Sequence, residues 1–209
     1  MRHLAEPGAG YESRLKRAVR YLRGQTRVVL RFPWHHGSAE LTGFVDANFA
    51  GCMWTRKSTS AGALMWGKMC LKTWSKTQAT IALSPGESEF AAVVRGATEG
   101  FGMLSVFSDL GFCNIRLSLR SDTTAAIGIV DREGLGRVRH LATGDLWIQE
   151  RVRRSEIAVS KCPGRDNPSD LETKGLDSVT MSRHIATLGF SHLDGRAASA
   201  PALKRGAGS

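Results

Sequence analysis

Tyr11, Leu15, Val19 and Leu22 recur at helical spacing with Arg and Lys between them. The pattern predicts a helix over residues 11–23, which Gly24 ends. Residues 27–32 read as a strand and 33–38 as a loop. Residues 41–47 then alternate loosely and end in an acid. Residues 60–66 and 69–75 are strand-like runs flanking Gly67-Lys68, a two-residue hairpin loop, so a three-strand meander opens the second segment. The clearest helix covers 84–104. Ser84-Pro85-Gly86-Glu87 is a capping box with Pro at the first helical position, and Phe90, Val94, Ala97 and Phe101 follow on one face. Residues 115–121 form a fourth strand, 123–132 a short helix, 134–139 a basic glycine-containing loop, 141–154 another helix and 156–160 a fifth strand. A loop over 161–167, a short helix over 168–174 and a helix over 178–188 lead to Ala/Gly/Ser-rich residues 193–209, expected to be disordered. The order β-β-β-α-β-α-α-β-α predicts an α/β fold, a mixed sheet with helices packed on its faces.

Composition narrows the partners. The 209 residues carry 29 Lys+Arg against 19 Asp+Glu, and the net charge of +10 points to a polyanionic partner. No run reaches the ~18 apolar residues of a membrane helix, and the N-terminus has no apolar leader region, so a chain working inside the cell and away from membranes is expected. Cys52, Cys70, Cys113 and Cys162 form no C-x-x-C pair and are expected to be reduced thiols. Trp54, Trp66, Trp74 and Trp147 are expected to be packing residues.

Four acids stand out by position. Asp46 ends a strand among Phe44, Val45, Ala47 and Phe49, where a carboxylate must be paired, hydrogen-bonded or metal-bound unless it merely closes the strand. Glu87 is explained by the cap; Glu89 is not, and is either a solvated helix Glu or a functional one. Asp122 follows the fourth strand and opens a helix, so it is an N-cap or a ligand. Asp170, three residues after Asn167, sits near a helix start, where a capping carboxylate is the alternative. If the first and fourth strands of the meander domain are neighbours, the four converge at one end of the sheet. Such a cluster repels itself unless hard divalent cations such as Mg²⁺ or Mn²⁺ neutralise it.

Several motifs then fall in order along residues 41–175: Val45-Asp46-Ala47-Asn48-Phe49-Ala50-Gly51, Arg56-Lys57-Ser58-Thr59-Ser60, Trp74-Ser75-Lys76-Thr77-Gln78, Ala82-Leu83-Ser84-Pro85-Gly86-Glu87-Ser88-Glu89-Phe90, Ser121-Asp122-Thr123-Thr124-Ala125-Ala126-Ile127, Arg139-His140-Leu141 and Asn167-Pro168-Ser169-Asp170-Leu171-Glu172-Thr173-Lys174. They resemble the ribonuclease H domain of copia-type retrotransposon polyproteins. Residues 14–32 resemble the stretch that joins the reverse transcriptase to that domain. The resemblance implies a ribonuclease H-like fold with a five-stranded mixed sheet over 39–175, a tether over 1–38 and a C-terminal helix and tail over 176–209. It implies a metal-dependent endoribonuclease that cuts the RNA strand of an RNA–DNA hybrid, with Asp46, Glu89, Asp122 and Asp170 as catalytic, Mg²⁺- or Mn²⁺-binding acids, in a chain once fused to a reverse transcriptase.

Arg56, Lys57, Arg137, Arg139 and His140 are candidate contacts to nucleic acid, against the alternative of solvated loop charges. The chain departs from the family pattern at Asn48-Phe49, where an Asp followed by Trp is usual, and at Ala142, where an Asp often follows the motif His. Residues 161–166 hold no His, and no Tyr-x-Asp-Asp polymerase motif occurs. The competing expectation is a catalytically inactive nucleic-acid-binding relic of a retrotransposon polyprotein.

Overall fold

A computed structural model describes residues 9–134, 143–195, 197 and 199. The loop carrying Arg137, Arg139 and His140 lies outside the described residues, as does most of the stretch 193–209. The chain divides into two units, residues 1–31 with 190–209, and residues 32–189.

In the first unit, helix α1 (Ala9–Gly24) precedes strand β1 (Arg27–Leu30). Strand β7 (Phe190–Leu193), absent from the order expected from the sequence, pairs antiparallel with β1, Arg27 opposite Leu193 and Leu30 opposite Phe190. The partners are more than 150 residues apart, so no local pattern announces the pairing.

The second unit holds the sheet that the pattern predicted. Strands β2 (Glu40–Asn48), β3 (Thr59–Trp66), β4 (Met69–Thr77), β5 (Arg116–Ser121) and β6 (Ile157–Lys161) lie in the order β4-β3-β2-β5-β6. The β2–β3 and β3–β4 pairs are antiparallel, and β2–β5 and β5–β6 are parallel. Helix α2 (Pro85–Asp109) runs five residues beyond the expected end and buries Phe90, Val93, Ala97 and Phe107. The fully buried Phe90 and Val93 contribute roughly 1.5–3 kcal/mol each, and the single methyl of Ala97 less than about 1 kcal/mol. Helix α3 (Thr124–Asp131) follows β5, and α4 occupies only Trp147–Arg153 of the helix expected over 141–154, with Thr143–Leu146 wound as a tighter 3-10 turn. The short helix expected at 168–174 is likewise a 3-10 turn, Pro168–Glu172, ahead of helix α5 (Ser178–Thr187). Among the described residues no helix is long and apolar enough to cross a membrane.

Two glycines let α2 lie close on the sheet. A Cβ at Gly96 would come within 2.5 Å of Val45 Cγ1, and one at Gly100 within 2.5 Å of Leu117 Cδ1. Glu89 lies two turns before Gly96, on the same side of the helix, so this close approach carries it toward the end of β2. Gln78, just after β4, donates from Nε2 to Ser60 Oγ at 2.9 Å and to the Ser88 carbonyl at 2.8 Å, fixing the first turn of α2 against the meander.

The tryptophans divide. Trp74 is buried, and Trp66 and Trp147 pack against the core. Trp54, expected to be a packing residue, is 78% exposed because it sits in the loop after β2 and not on a strand.

The same tight packing gives a paired test of the sheet. A Cβ at Gly62 would meet Trp74 Cζ2 at 2.2 Å and the Phe44 carbonyl oxygen at 2.6 Å. Gly62→Ala is therefore expected to lose about 1–3 kcal/mol in denaturant unfolding. Gly102→Ala, on an exposed part of α2 with nothing within 4 Å of the added atom, is expected to gain up to about 1 kcal/mol.

Candidate metal-binding site

Strand polarity builds the site. β2 and β5 are parallel, with Phe44 level with Arg120, and continuing that register two residues sets Asp46 level with Asp122. From this pair the chain runs one way to β3 and β4 and the other way to β6, so the carboxyl ends of β2 and β5 flank the crevice where open α/β sheets take ligands.

The third acid arrives from Pro168–Glu172. Asn167, fully buried, donates from Nδ2 to the Val45 carbonyl at 2.9 Å, and its Oδ1 accepts from the Ser169 N–H at 3.3 Å. Ser75 Oγ donates to the Glu172 carbonyl at 2.9 Å, and Asn48 Nδ2 donates to the Thr173 carbonyl at 3.1 Å. These bonds hold the turn against β2 and β4 and bring Asp170 in. One carboxylate oxygen from each of Asp46, Asp122 and Asp170 lies within 4.8 Å of the others. Asn48, a departure from the family pattern, acts as a latch here, and an ionised Asp would have no proton to donate.

Glu89 stands beside this group. Its carboxyl accepts a hydrogen bond from the Ala47 backbone, and its buried Oε2 has no hydrogen-bond partner. Burial, with the neighbouring charges of Asp46 and Asp122, pushes its pKa up to about 8. Asp46, with none of its surface exposed, is also raised by burial, against the opposing effects of the Thr173 hydroxyl and the Lys174 ammonium. Thr173 Oγ1 donates to Asp46 Oδ2. Lys174 Nζ donates to Asp46 Oδ1 at 3.1 Å and to Asp170 Oδ1 at 2.7 Å. Burial of the Lys174 ammonium opposes its charge, but the bonds to Asp170 and Asp46 prevail and raise its pKa.

Glu87 takes no part in the cluster. Its own N–H donates to Ser84 Oγ at 3.3 Å, the first half of a capping box, while its carboxylate reaches back to the Ser84 hydroxyl at 3.1 Å and to the N–H of Leu83, one residue before the cap, at 2.8 Å. Arg56, exposed and at φ 54°, and half-buried Lys57 lie in the loop that leaves the carboxyl end of β2. Arg151, Arg153 and Arg154 pair with Glu156, Glu133 and Glu150. Sequence reasoning did not single out Asn167, Thr173 or Lys174, although Lys174 lies four residues after Asp170, a spacing that pairs opposite charges across a helical turn.

The donor set suits a hard divalent cation: it is all oxygen, drawn from three of the four expected acids, with the unpartnered carboxylate oxygen of Glu89 beside it and not within it. The sheet order, with the acids at the carboxyl ends of two interior strands, is that of the ribonuclease H-like fold expected from the sequence. The chain's sequence is similar to that of a retrotransposon Pol polyprotein. It is 29% identical over 176 residues to the retrovirus-related Pol polyprotein from transposon TNT 1-94 of Nicotiana tabacum, covering 83% of this chain. It is 35% identical over 95 residues to the secreted RxLR effector protein 161 of Plasmopara viticola, covering 46% of this chain. The matches span 13% of the length of the first relative and 66% of the second. No protein-family model matches.

Solved structures similar to it include LC11 ribonuclease H1 isolated from compost, at TM-score 0.45 and 13% identity over 64% of this chain and 91% of that one. The same enzyme in complex with an RNA/DNA hybrid aligns at TM-score 0.42 and 12% identity over 61% and 88%. The prototype foamy virus protease–reverse transcriptase aligns at TM-score 0.41 and 12% identity over 75% and 21%.

Glu89 carries a pH test. Its folded pKa lies above the unfolded value near 4.5, so its contribution to stability is full at acid pH and is lost as pH rises toward 8. Glu89→Gln removes the charge and keeps the shape. In EDTA at pH 8 it is expected to be more stable than the parent by about 1–3 kcal/mol, a difference that closes toward pH 4. Unfolding curves with the same separation at both pH values would contradict this.

Proposed function

We propose that the domain is a divalent-metal-dependent endoribonuclease that cuts the RNA strand of RNA–DNA hybrids, and that it once worked fused to a reverse transcriptase. The observation that carries the reading is the convergence of Asp46, Asp122 and Asp170 within 4.8 Å at the carboxyl end of two parallel strands. The motif resemblance, which includes Glu89, supports the choice of substrate.

Asp46, Asp122, Asp170 and Glu89 would hold Mg²⁺ or Mn²⁺. When bound, the metal supplies a nucleophilic water and Lewis-acid stabilisation of the leaving oxygen. The protein's part is placement. Asn167 and Asn48 fix the Asp170 turn, and the β2–β5 register fixes Asp46 against Asp122. Burial beside Asp46 and Asp122 raises the pKa of Glu89 to about 8, which limits the repulsion near neutral pH, and Glu89 would have to lose that proton to ligate a metal. Arg56 and Lys57 leave the same sheet end and would contact phosphate, with Arg137, Arg139 and His140 proposed for the same task. RNA would be told from DNA by contacts to 2′-hydroxyls.

With Mn²⁺ or Mg²⁺ the purified chain is expected to cut the RNA of a labelled hybrid and leave duplex DNA intact. Asp122→Asn and Asp46→Asn should each slow cutting at least about 100-fold, the loss that even supporting residues of metal sites cause. Hybrid binding should persist in both variants and weaken steeply with salt. Equal cleavage by the parent and Asp122→Asn would assign the activity to a contaminant and favour the inactive relic. Glu87→Gln should still cut, because Gln also closes a capping box.

A further inference from the structure

We propose that Lys174 is an internal counter-ion that holds one cation position of the acid cluster and is displaced when a divalent metal binds. The inference rests on the metal-binding reading above and deepens it. The Lys174 ammonium lies between Asp46 Oδ1 and Asp170 Oδ1, at 3.1 Å and 2.7 Å, and so bridges two of the three converging carboxylates. A cation ligated by both acids would have to meet the same two carboxylates. Metal and ammonium therefore compete for one place.

The surroundings allow an exchange. The backbone at this point is pinned: the Lys174 N–H donates to the Asp170 carbonyl at 2.9 Å, and the Thr173 carbonyl accepts from Asn48. The four-carbon stem is not pinned in the same way, because the Lys174 side chain is 41% exposed while those of Asp46 and Asp170 are 0% and 13% exposed. A side chain this exposed has room to swing the ammonium out of the cluster. Its charge is also only a partial match. It reaches Asp46 and Asp170, while Glu89 keeps a buried oxygen without a hydrogen-bond partner. A divalent ion brings twice the charge and can accept ligands from that side as well.

Two consequences follow. Without metal, Lys174 stabilises a cluster that would otherwise repel itself. With metal, the apparent affinity is lowered by the fraction of molecules in which the ammonium already holds the place. A lysine serving only to stabilise the fold would give the first effect without the second.

The test uses Mn²⁺ as the probe, on the full chain, by titration calorimetry and by thermal melting in EDTA. Lys174→Met is expected to melt lower than the parent in EDTA, to recover on adding Mn²⁺, and to bind Mn²⁺ about 10-fold more tightly, as for a parent site open about a tenth of the time. Lys174→Arg keeps a cation in place and should not tighten binding. Should Lys174→Met fail to fold, the parent decides alone: the side-chain NMR signal of ¹³C-labelled Lys174, assigned with Lys174→Arg, is expected to move as Mg²⁺ is added. Mn²⁺ affinity unchanged or weaker in Lys174→Met, or a Lys174 signal unmoved at saturating Mg²⁺, would overturn the counter-ion role and leave the metal site standing. Absence of Mn²⁺ binding in both parent and Lys174→Met would overturn the metal site and the counter-ion role with it.

Discussion

Repulsion between carboxylates at the end of two parallel strands is the constraint around which the sheet unit is arranged. The β2–β5 register sets Asp46 level with Asp122, and Asp46 has no exposed surface. Water cannot screen a charge in that position, so the protein must supply what solvent does elsewhere. It does so in two ways. Glu89 is held in its neutral form by burial and by the neighbouring acids, and Lys174 and Thr173 donate hydrogen bonds to Asp46. Both devices depend on segments far from β2 in sequence, which ties the integrity of the site to the packing of the whole sheet.

That packing is unusually tight where it serves the site. Gly96 and Gly100 remove the side chains that would hold α2 away from Val45 and Leu117, and Glu89 reaches the sheet end as a result. On the other side, Asn167, Asn48 and Ser75 secure the Asp170 turn through backbone carbonyls of Val45, Thr173 and Glu172. A 3-10 turn has poorer internal hydrogen bonds than an α-helix, so side-chain latches matter more there. The acids themselves are poor contributors to stability. Unfavourable local chemistry held in place by favourable surroundings is the usual mark of a functional site.

Surface charge has a different status from the site charge. Arg151, Arg153 and Arg154 are each matched with a glutamate, and exposed pairs of this kind contribute little to stability. Such pairs cancel within the count, so the +10 excess lies in other basic residues and would act at long range on a polyanion, which is a matter of attraction and on-rate more than of fold.

Local pattern was enough to determine the five strands of the sheet unit, the long capped helix and the separation of Glu87 from Glu89, because alternation, helical spacing and a capping box are all written within a few residues of one another. The four acids were legible as residues whose positions ordinary capping or solvation accounted for only in part. Tertiary structure alone decided the β1–β7 pairing, the exposed place of Trp54 and the 3-10 form of the turn that carries Asp170. It also decided that Asn48 and Asn167 are latches and that Lys174 lies between two of the acids. The physical reason is separation along the chain. Val45 and Asn167, or Asp46 and Lys174, are more than 120 residues apart, and the hydrogen bond between such partners leaves no periodic trace in either segment.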